Sequence, residues 1–344
     1  MLSFISQNLW MMIVFGLLSI AVLVYSANVA VLKLTGLAGY FRLSTTFVGV
    51  TVVSIATSIP ELAAHFTASF GILSGSLDYK VSSSVVLGAN IGSDVVQQTL
   101  IMAVVVLIAG GLHFRKYFLW KSLLPMIITT LMCIVLGLDG VYSRIDGMIL
   151  FGSFIAYMYY LYRDERKFYK QEDHGFNDEG HVPDGVPKNS KEAWIYTLIA
   201  VVALGFTILS AMVALQITEV VVDTTGIGGS LIGVVTLGLA SALPELFTAL
   251  SGLRNGDSGI SLGTLIGSNI INPLLAIGGG ALISTYYVPR PLVYWDLPWE
   301  TITGALLWIV LYLNNGKLGK WVAYYLIALY FVYITMRMIF FSVD

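Results

Sequence analysis

Apolar residues run through this chain in long unbroken stretches, and the polar residues gather between them. Ten stretches read as helices across a bilayer: about 8–32, 44–71, 82–110, 117–138, 144–162, 194–221, 228–253, 259–284, 298–313 and 319–341. A span takes roughly 20 apolar residues. The runs lack period-two alternation, which predicts helices and not the strands of a barrel. The longest polar stretch, 164–193, mixes both charge signs with glycine, asparagine and two prolines. It reads as a solvated cytoplasmic linker, too short for a folded domain. It also lacks the spaced aspartates of an EF-hand loop. Five runs lie on each side of it. An odd number per half makes the second half enter the membrane upside down. The predicted organisation is therefore 1–163, a linker at 164–193, and 194–344. The expected fold is an all-α polytopic membrane protein of ten transmembrane helices in two inverted five-helix repeats.

Composition agrees with a membrane setting. The chain is 57% hydrophobic and 11% charged, with a mean hydropathy of +0.84. A soluble domain carries about a quarter charged residues. With the N-terminus outside, the outer loops hold only Lys80, Arg144, Arg290 and Arg337, and the other lysines and arginines face inward. That bias predicts both termini outside. No basic residue precedes the first run and no cleavage pattern follows it, so it is kept as a span. The single cysteine, Cys133, excludes an internal disulfide and a cysteine-rich metal site. A net charge of −2 without a basic stripe gives no reason to expect nucleic acid. Nothing in the pattern calls for a cofactor or an obligate protein partner.

Two motifs occur twice, in the same order in each half. FVGVTVVSIATSIPEL (47–62) matches LIGVVTLGLASALPEL (231–246), and LGANIGSDVVQQTL (87–100) matches LGTLIGSNIINPLL (262–275). The first motif places Glu61 and Glu245 directly after prolines, inside apolar runs. A carboxylate in lipid is costly and by default functional. Proline has no amide hydrogen and clashes with the carbonyl one turn back. Pro60 and Pro244 should therefore break their helices and free carbonyls around Ser54–Thr57 and Gly238–Ser241. Such backbone survives at membrane depth only inside protein or along a water-filled cavity. Inverted repeats with broken core helices and a midplane site mark many secondary transporters.

The donors are oxygens. Hydroxyls of Thr57, Ser58 and Ser241 stand beside the carboxylates. Ser93 and Gln97 share a helix face, as do Ser268 and Asn272. Calcium takes six to eight oxygens at about 2.3–2.6 Å, and two glutamates balance one divalent charge. No histidine–cysteine cluster suits zinc or copper. Asp94 is a third acid in an apolar run, open to a coordinating or a pairing role. His65, one turn after Glu61, is open to packing or to modulating that acid. A channel would be expected to draw its pore from repeated subunits, and no nucleophile–base pair suggests an enzyme.

On TSIPE, SALPE and the two GS[DN]xx[QN] segments, the chain resembles the calcium/cation antiporter superfamily, and within it prokaryotic sodium/calcium exchangers. The resemblance covers nearly the whole chain, with alpha repeats at 47–101 and 231–276. It implies a calcium/sodium antiporter of a prokaryotic plasma membrane, working by alternating access. It implies that Glu61 and Glu245 hold calcium, with carbonyls from Thr57 and Ser241. Ser58, Ser93 and Ser268, with backbone oxygens of Ser54 and Gly238, would line flanking sodium sites. Gln97 and Asn272 would stand between them. Four departures stand out. Ala242 replaces a frequent serine, Gln97 stands where asparagine is usual, Asn272 stands where several members have aspartate, and Asp94 stands where asparagine is common. They leave calcium/proton exchange as the alternative. The first and sixth spans would slide as a gate.

Overall fold

The computed structural model describes residues 9–40, 54–114, 118–168, 185–254 and 258–344. The start of the first motif, 47–53, and most of the polar stretch, 169–184, lie outside the described residues. The helices, in chain order, are α1 (Leu9–Tyr40), α2 (54–74), α3 (79–109), α4 (119–137) and α5 (Arg144–Phe168). After the polar stretch come α6 (Ser190–Thr225), α7 (229–254), α8 (258–284), α9 (292–313) and α10 (Lys320–Phe340). Among the described residues, eight of them are long and apolar enough to cross a membrane. The other two are α2 and α9. Helix α9 begins six residues before the predicted span, because Leu292–Asp296 forms a wide π-helical turn that runs straight into Leu297–Leu313. Pro298 sits just past that turn, as the second residue of Leu297–Leu313. Helix α4 starts the same way, with a π turn at Leu119–Leu123 ahead of Pro125.

Local signals set the ends. Asp78 caps α3 by accepting from Val81 N at 2.8 Å. Asn189 caps α6 by accepting from Glu192 N at 2.9 Å, and Glu192 reaches back to Lys188 N at 2.8 Å, which is a capping box. Gly226 ends α6 at φ +70°, a conformation that a Cβ disfavours.

Burial ranks the helices. In α3 and α8 the apolar window is 78% and 83% buried, against 28% in α1 and 11% in α5. The two helices that carry the second motif are thus the centre of the molecule. Apolar side chains such as Leu17, Val135, Ile145 and Phe331 point outward, as a lipid-facing surface requires. Helices α1 and α6 lie antiparallel along each other. Gly16 meets Ile217 and Ser26 bonds Thr207 at 2.9 Å; the Lys33 ammonium sits 4.0 Å over the Tyr196 ring.

Two short ribbons tie the halves together. Strand β1 (Leu112–His113) pairs with β4 (Lys317–Leu318), and β2 (Val141–Tyr142) pairs with β3 (Tyr286–Tyr287), both antiparallel. Each ribbon joins a loop of the first half to a loop of the second.

One basic residue is not where the sequence put it. Arg337 was counted with the outer loops, but its side chain is fully buried. Its Nε donates to Asp296 at 2.9 Å, and Tyr333 donates to the same carboxylate at 2.6 Å. A buried guanidinium needs such a partner, and this one joins α9 to α10.

Candidate functional site

Close backbone contact builds the floor of the site. Where α3 crosses α7, a methyl group on Gly88 would come within 2.2 Å of the Ser230 carbonyl oxygen. One on Gly233 would come equally near the Val85 carbonyl, and one on Gly238 would meet Ala89 O at 2.8 Å. Only glycine permits this approach. On the opposite side, Ser54 in α2 donates to Gly263 O in α8 at 3.4 Å. The second-motif helices are thereby pressed against the two broken helices.

The breaks fall at Ser58 and Ala242, where ψ moves to 6° and −7°. They lie two residues before each proline, and Pro60 opens the following helix. The Ala56 and Ala240 carbonyls face prolines four residues on, which have no N–H to give. The Ser54 and Gly238 carbonyls are less free than the sequence suggested. Ser54 O accepts from Ser58 N at 3.1 Å and Thr57 Oγ1 at 3.2 Å, and Gly238 O accepts from Ser241 Oγ at 3.3 Å. A carbonyl has two lone pairs, and those of Ser54 O are both taken by these two donors.

Just past the breaks stand the glutamates, both buried. Glu61 accepts from Ser93 Oγ at 2.8 Å through Oε1, and its Oε2 has no partner among the described residues. Neither oxygen of Glu245 has one. The halves interlock: Glu61 is within electrostatic reach of Ser241, and Glu245 of both Thr57 and Glu61. Further buried oxygens without a hydrogen-bond partner among the described residues include Ser58 Oγ, Asn90 Oδ1, Gln98 Oε1, Thr264 Oγ1 and Asn272 Oδ1. A buried acceptor left unmade costs about 1–3 kcal/mol, more for a charged group. Orphan oxygens gathered around two carboxylates fit a cation that the protein itself does not supply. A cavity of about 10 Å³, lined by Glu61, His65, Asn90 and Ser241, adjoins them. That is room for one water-sized sphere.

The remaining candidates divide. Asp94 accepts from Asn272 Nδ2 at 2.8 Å and interacts electrostatically with Glu61, Glu245 and Glu300, so it adjoins the glutamates after all. His65 packs against Tyr286, with Nδ1 3.1 Å from its hydroxyl, while Nε2 faces no hydrogen-bond partner. Gln97 and Ser268 bond each other at 2.5 Å and not a common centre.

Three residues to which the sequence pattern gave no role join the network. Glu300 is buried in the first turns of α9 and accepts from Thr130 Oγ1 at 2.9 Å and Gln98 Nε2 at 3.3 Å. Gln98 also donates to Asn269 Oδ1 at 3.0 Å. Asp94 is therefore not the last buried acid; Asp296 and Glu300 follow it. Aligning the repeats would have flagged Asn269, which stands opposite Asp94. An acid two residues past Pro298 was the signal for Glu300.

A broken-helix bundle with carboxylates at its centre defines a membrane transporter of cations. The chain belongs to the family described as sodium/calcium exchanger protein, whose model matches residues 11–163 and 195–339. Among its relatives, an uncharacterized membrane protein of Methanocaldococcus jannaschii is 24% identical over 94% of this chain and 97% of its own length. The sodium/calcium exchanger MaX1 of Methanosarcina acetivorans is 22% identical over 93% and 96%. Of solved structures, the sodium–calcium exchanger NCX_Mj aligns with a TM-score of 0.61 at 22% identity, covering 94% of this chain and 97% of that one. An H+/Ca2+ exchanger, CAX, aligns with a TM-score of 0.74 at 15% identity, covering 96% and 82%. At these identities the structural likeness speaks for the fold.

Proposed function

We propose that the chain exchanges calcium for sodium by alternating access, at a midplane site built on Glu61 and Glu245. The observation that carries this reading is the set of unpartnered buried oxygens on and around the two carboxylates. Calcium favours such oxygens and needs several of them, and two glutamates balance its charge. Thr57 and Ser241 stand beside the carboxylates, with carbonyls and hydroxyls to offer. Ser54, Ser58, Ser93, Gly238, Ser268 and Asn272 supply oxygens for monovalent ions on either flank. Empty of cation, the paired carboxylates repel each other in a low-dielectric interior. Loading removes that cost and permits the switch between faces. Calcium and the coupling ion compete for the same acids, so one leaves before the other binds. The paired helices α1 and α6 would slide across the core as the gate.

The architecture proposed with it is ten membrane helices in two inverted repeats, 1–163 and 194–344, with both termini outside a prokaryotic plasma membrane. Residues 164–193 would be the cytoplasmic linker. The ribbons support it: exchange of the halves turns β1 into β3 and β4 into β2, so each ribbon maps onto the other. They also join loops that the inverted topology places on one side of the membrane.

The second reading is calcium/proton exchange. It is favoured by Ala242, which removes a hydroxyl, and by Gln97, whose carbonyl is already bonded to Ser268. Calcium uptake into proteoliposomes under an imposed sodium gradient, compared with an imposed pH gradient, separates the two. Sodium-driven uptake that Glu61→Gln abolishes, in a protein that still purifies as a folded monodisperse species, is the expected result. Retained flux in that variant overturns the site.

A further inference from the structure

Amide groups have a donor end and an acceptor end, so a chain of them has a direction. Two of them, followed by one hydroxyl, link Asn269 to Glu61. Asn269 Nδ2 donates to the Leu265 carbonyl at 2.5 Å and to Gln97 Oε1 at 3.0 Å. Gln97 Nε2 donates to Ser93 Oγ at 3.1 Å, and Ser93 donates to Glu61 at 2.8 Å. The direction is fixed at the far end. A backbone carbonyl only accepts, so Asn269 must turn its nitrogen toward Leu265, and the same nitrogen meets Gln97. Gln97 must then present oxygen to Asn269 and nitrogen to Ser93. The neighbouring amide agrees with this direction: Gln98 Nε2 donates to Glu300 and to Asn269 Oδ1, so Asn269 turns its oxygen toward Gln98.

The consequence lies at Ser93. Its hydroxyl gives its hydrogen to Glu61 and receives an N–H from Gln97. A cation seated on Ser93 would face that N–H, whose hydrogen end is positive. Gln97 Oε1, the one atom of the side chain that could hold a cation, is occupied by Asn269 and by Ser268 at 2.5 Å.

We infer that Gln97 is a specificity-determining residue: locked by Asn269, its amide N–H closes the monovalent-cation position beside Ser93. Asn269 acts through Gln97 and is a positioning residue. The inference rests on the proposed antiport site, and it deepens that reading by taking Ser93 out of the set that holds monovalent ions, which lowers the number of sodium ions the site accepts.

The test reads sodium binding directly. Purified protein is melted in detergent across a sodium series, with choline holding ionic strength constant and no calcium present. A ligand that binds only the folded state raises the melting temperature with its concentration. Asn269→Leu removes the lock without adding charge and lets Gln97 turn its oxygen to Ser93. Gln97→Glu replaces the N–H with an oxygen at almost the same shape. Both should raise apparent sodium affinity by about tenfold, the effect expected of one polar contact to a charged ligand. In Asn269→Leu half-saturation by calcium should shift less than about twofold, and a merely structural lesion would not separate the two ions in this way; Gln97→Glu adds a carboxyl group beside Ser93 and is read for sodium alone. If Asn269→Leu fails to fold, Gln97→Glu still decides. Sodium curves of the folded variants that superimpose on wild type overturn the inference. Wild type that transports calcium under no gradient would instead overturn the antiport reading, and leaves these sodium curves to be judged on their own.

Discussion

Among the described residues, Glu245 holds two buried oxygens without a partner, and Glu61 holds one. Two such groups within electrostatic reach of each other strain the folded state, and at the proposed site a bound cation would relieve that strain. Binding should therefore show as stability. Calcium at a hundred times its dissociation constant adds about 2.7 kcal/mol to a protein that binds it only when folded. The melting temperature should rise steeply with calcium in wild type and stay nearly flat in Glu245→Gln. A Glu245→Gln protein that calcium stabilises as strongly as wild type would remove this residue from the site. Asn90 gives a graded version of the same argument. Its Oδ1 lines the cavity beside Glu61 without a partner, so Asn90→Leu should weaken calcium stabilisation while leaving the calcium-free melting temperature nearly unchanged.

Among elements, α3 and α7 decide whether the site exists at all. They approach until backbone touches backbone at Gly88, Gly233 and Gly238. Gly233→Leu must force them apart, at about 1–3 kcal/mol for overpacking, and calcium binding should fall along with the melting temperature. Loss of stability with calcium affinity intact would show that this crossing does not position the carboxylates. The elements also show where sequence reading succeeds. A proline–glutamate pair inside an apolar run, written twice, is visible without any fold, because its cost is local to the helix that carries it. Glu300 and Asn269 are not. Their roles depend on which helices cross, and nothing in the run around Pro298 says that α9 faces Gln98 and Thr130. The start of α9 was misplaced for a related reason: Asp296 reads as a loop residue until Arg337, 41 positions away, is brought against it.

At the scale of the whole molecule, orientation follows from contacts between helix ends. Residues at the C-terminal end of α6 meet the start of α3, where Glu219 accepts from Asp78 N at 2.7 Å. The chain end meets the start of α7, where Gly228 N donates to Ser342 O at 2.8 Å. The β2–β3 ribbon belongs with both in the alternating path, and the β1–β4 ribbon belongs on the other side. With the basic residues concentrated in the opposite loops, the proposed orientation turns this first group outward. Cys133 is the chain's single cysteine and is buried, so introduced cysteines can be read against a silent background. Ser76 and Asn314 are both exposed, one on each proposed side. In intact cells a membrane-impermeant maleimide should modify Ser76→Cys and spare Asn314→Cys until the membrane is opened. The reverse pattern would turn the whole protein over while leaving the two-fold relation in place. Labelling of both in intact cells would break the relation itself, because α2 and α9 would then no longer lead to opposite faces and the two halves could not offer their glutamates to one ion from opposite directions.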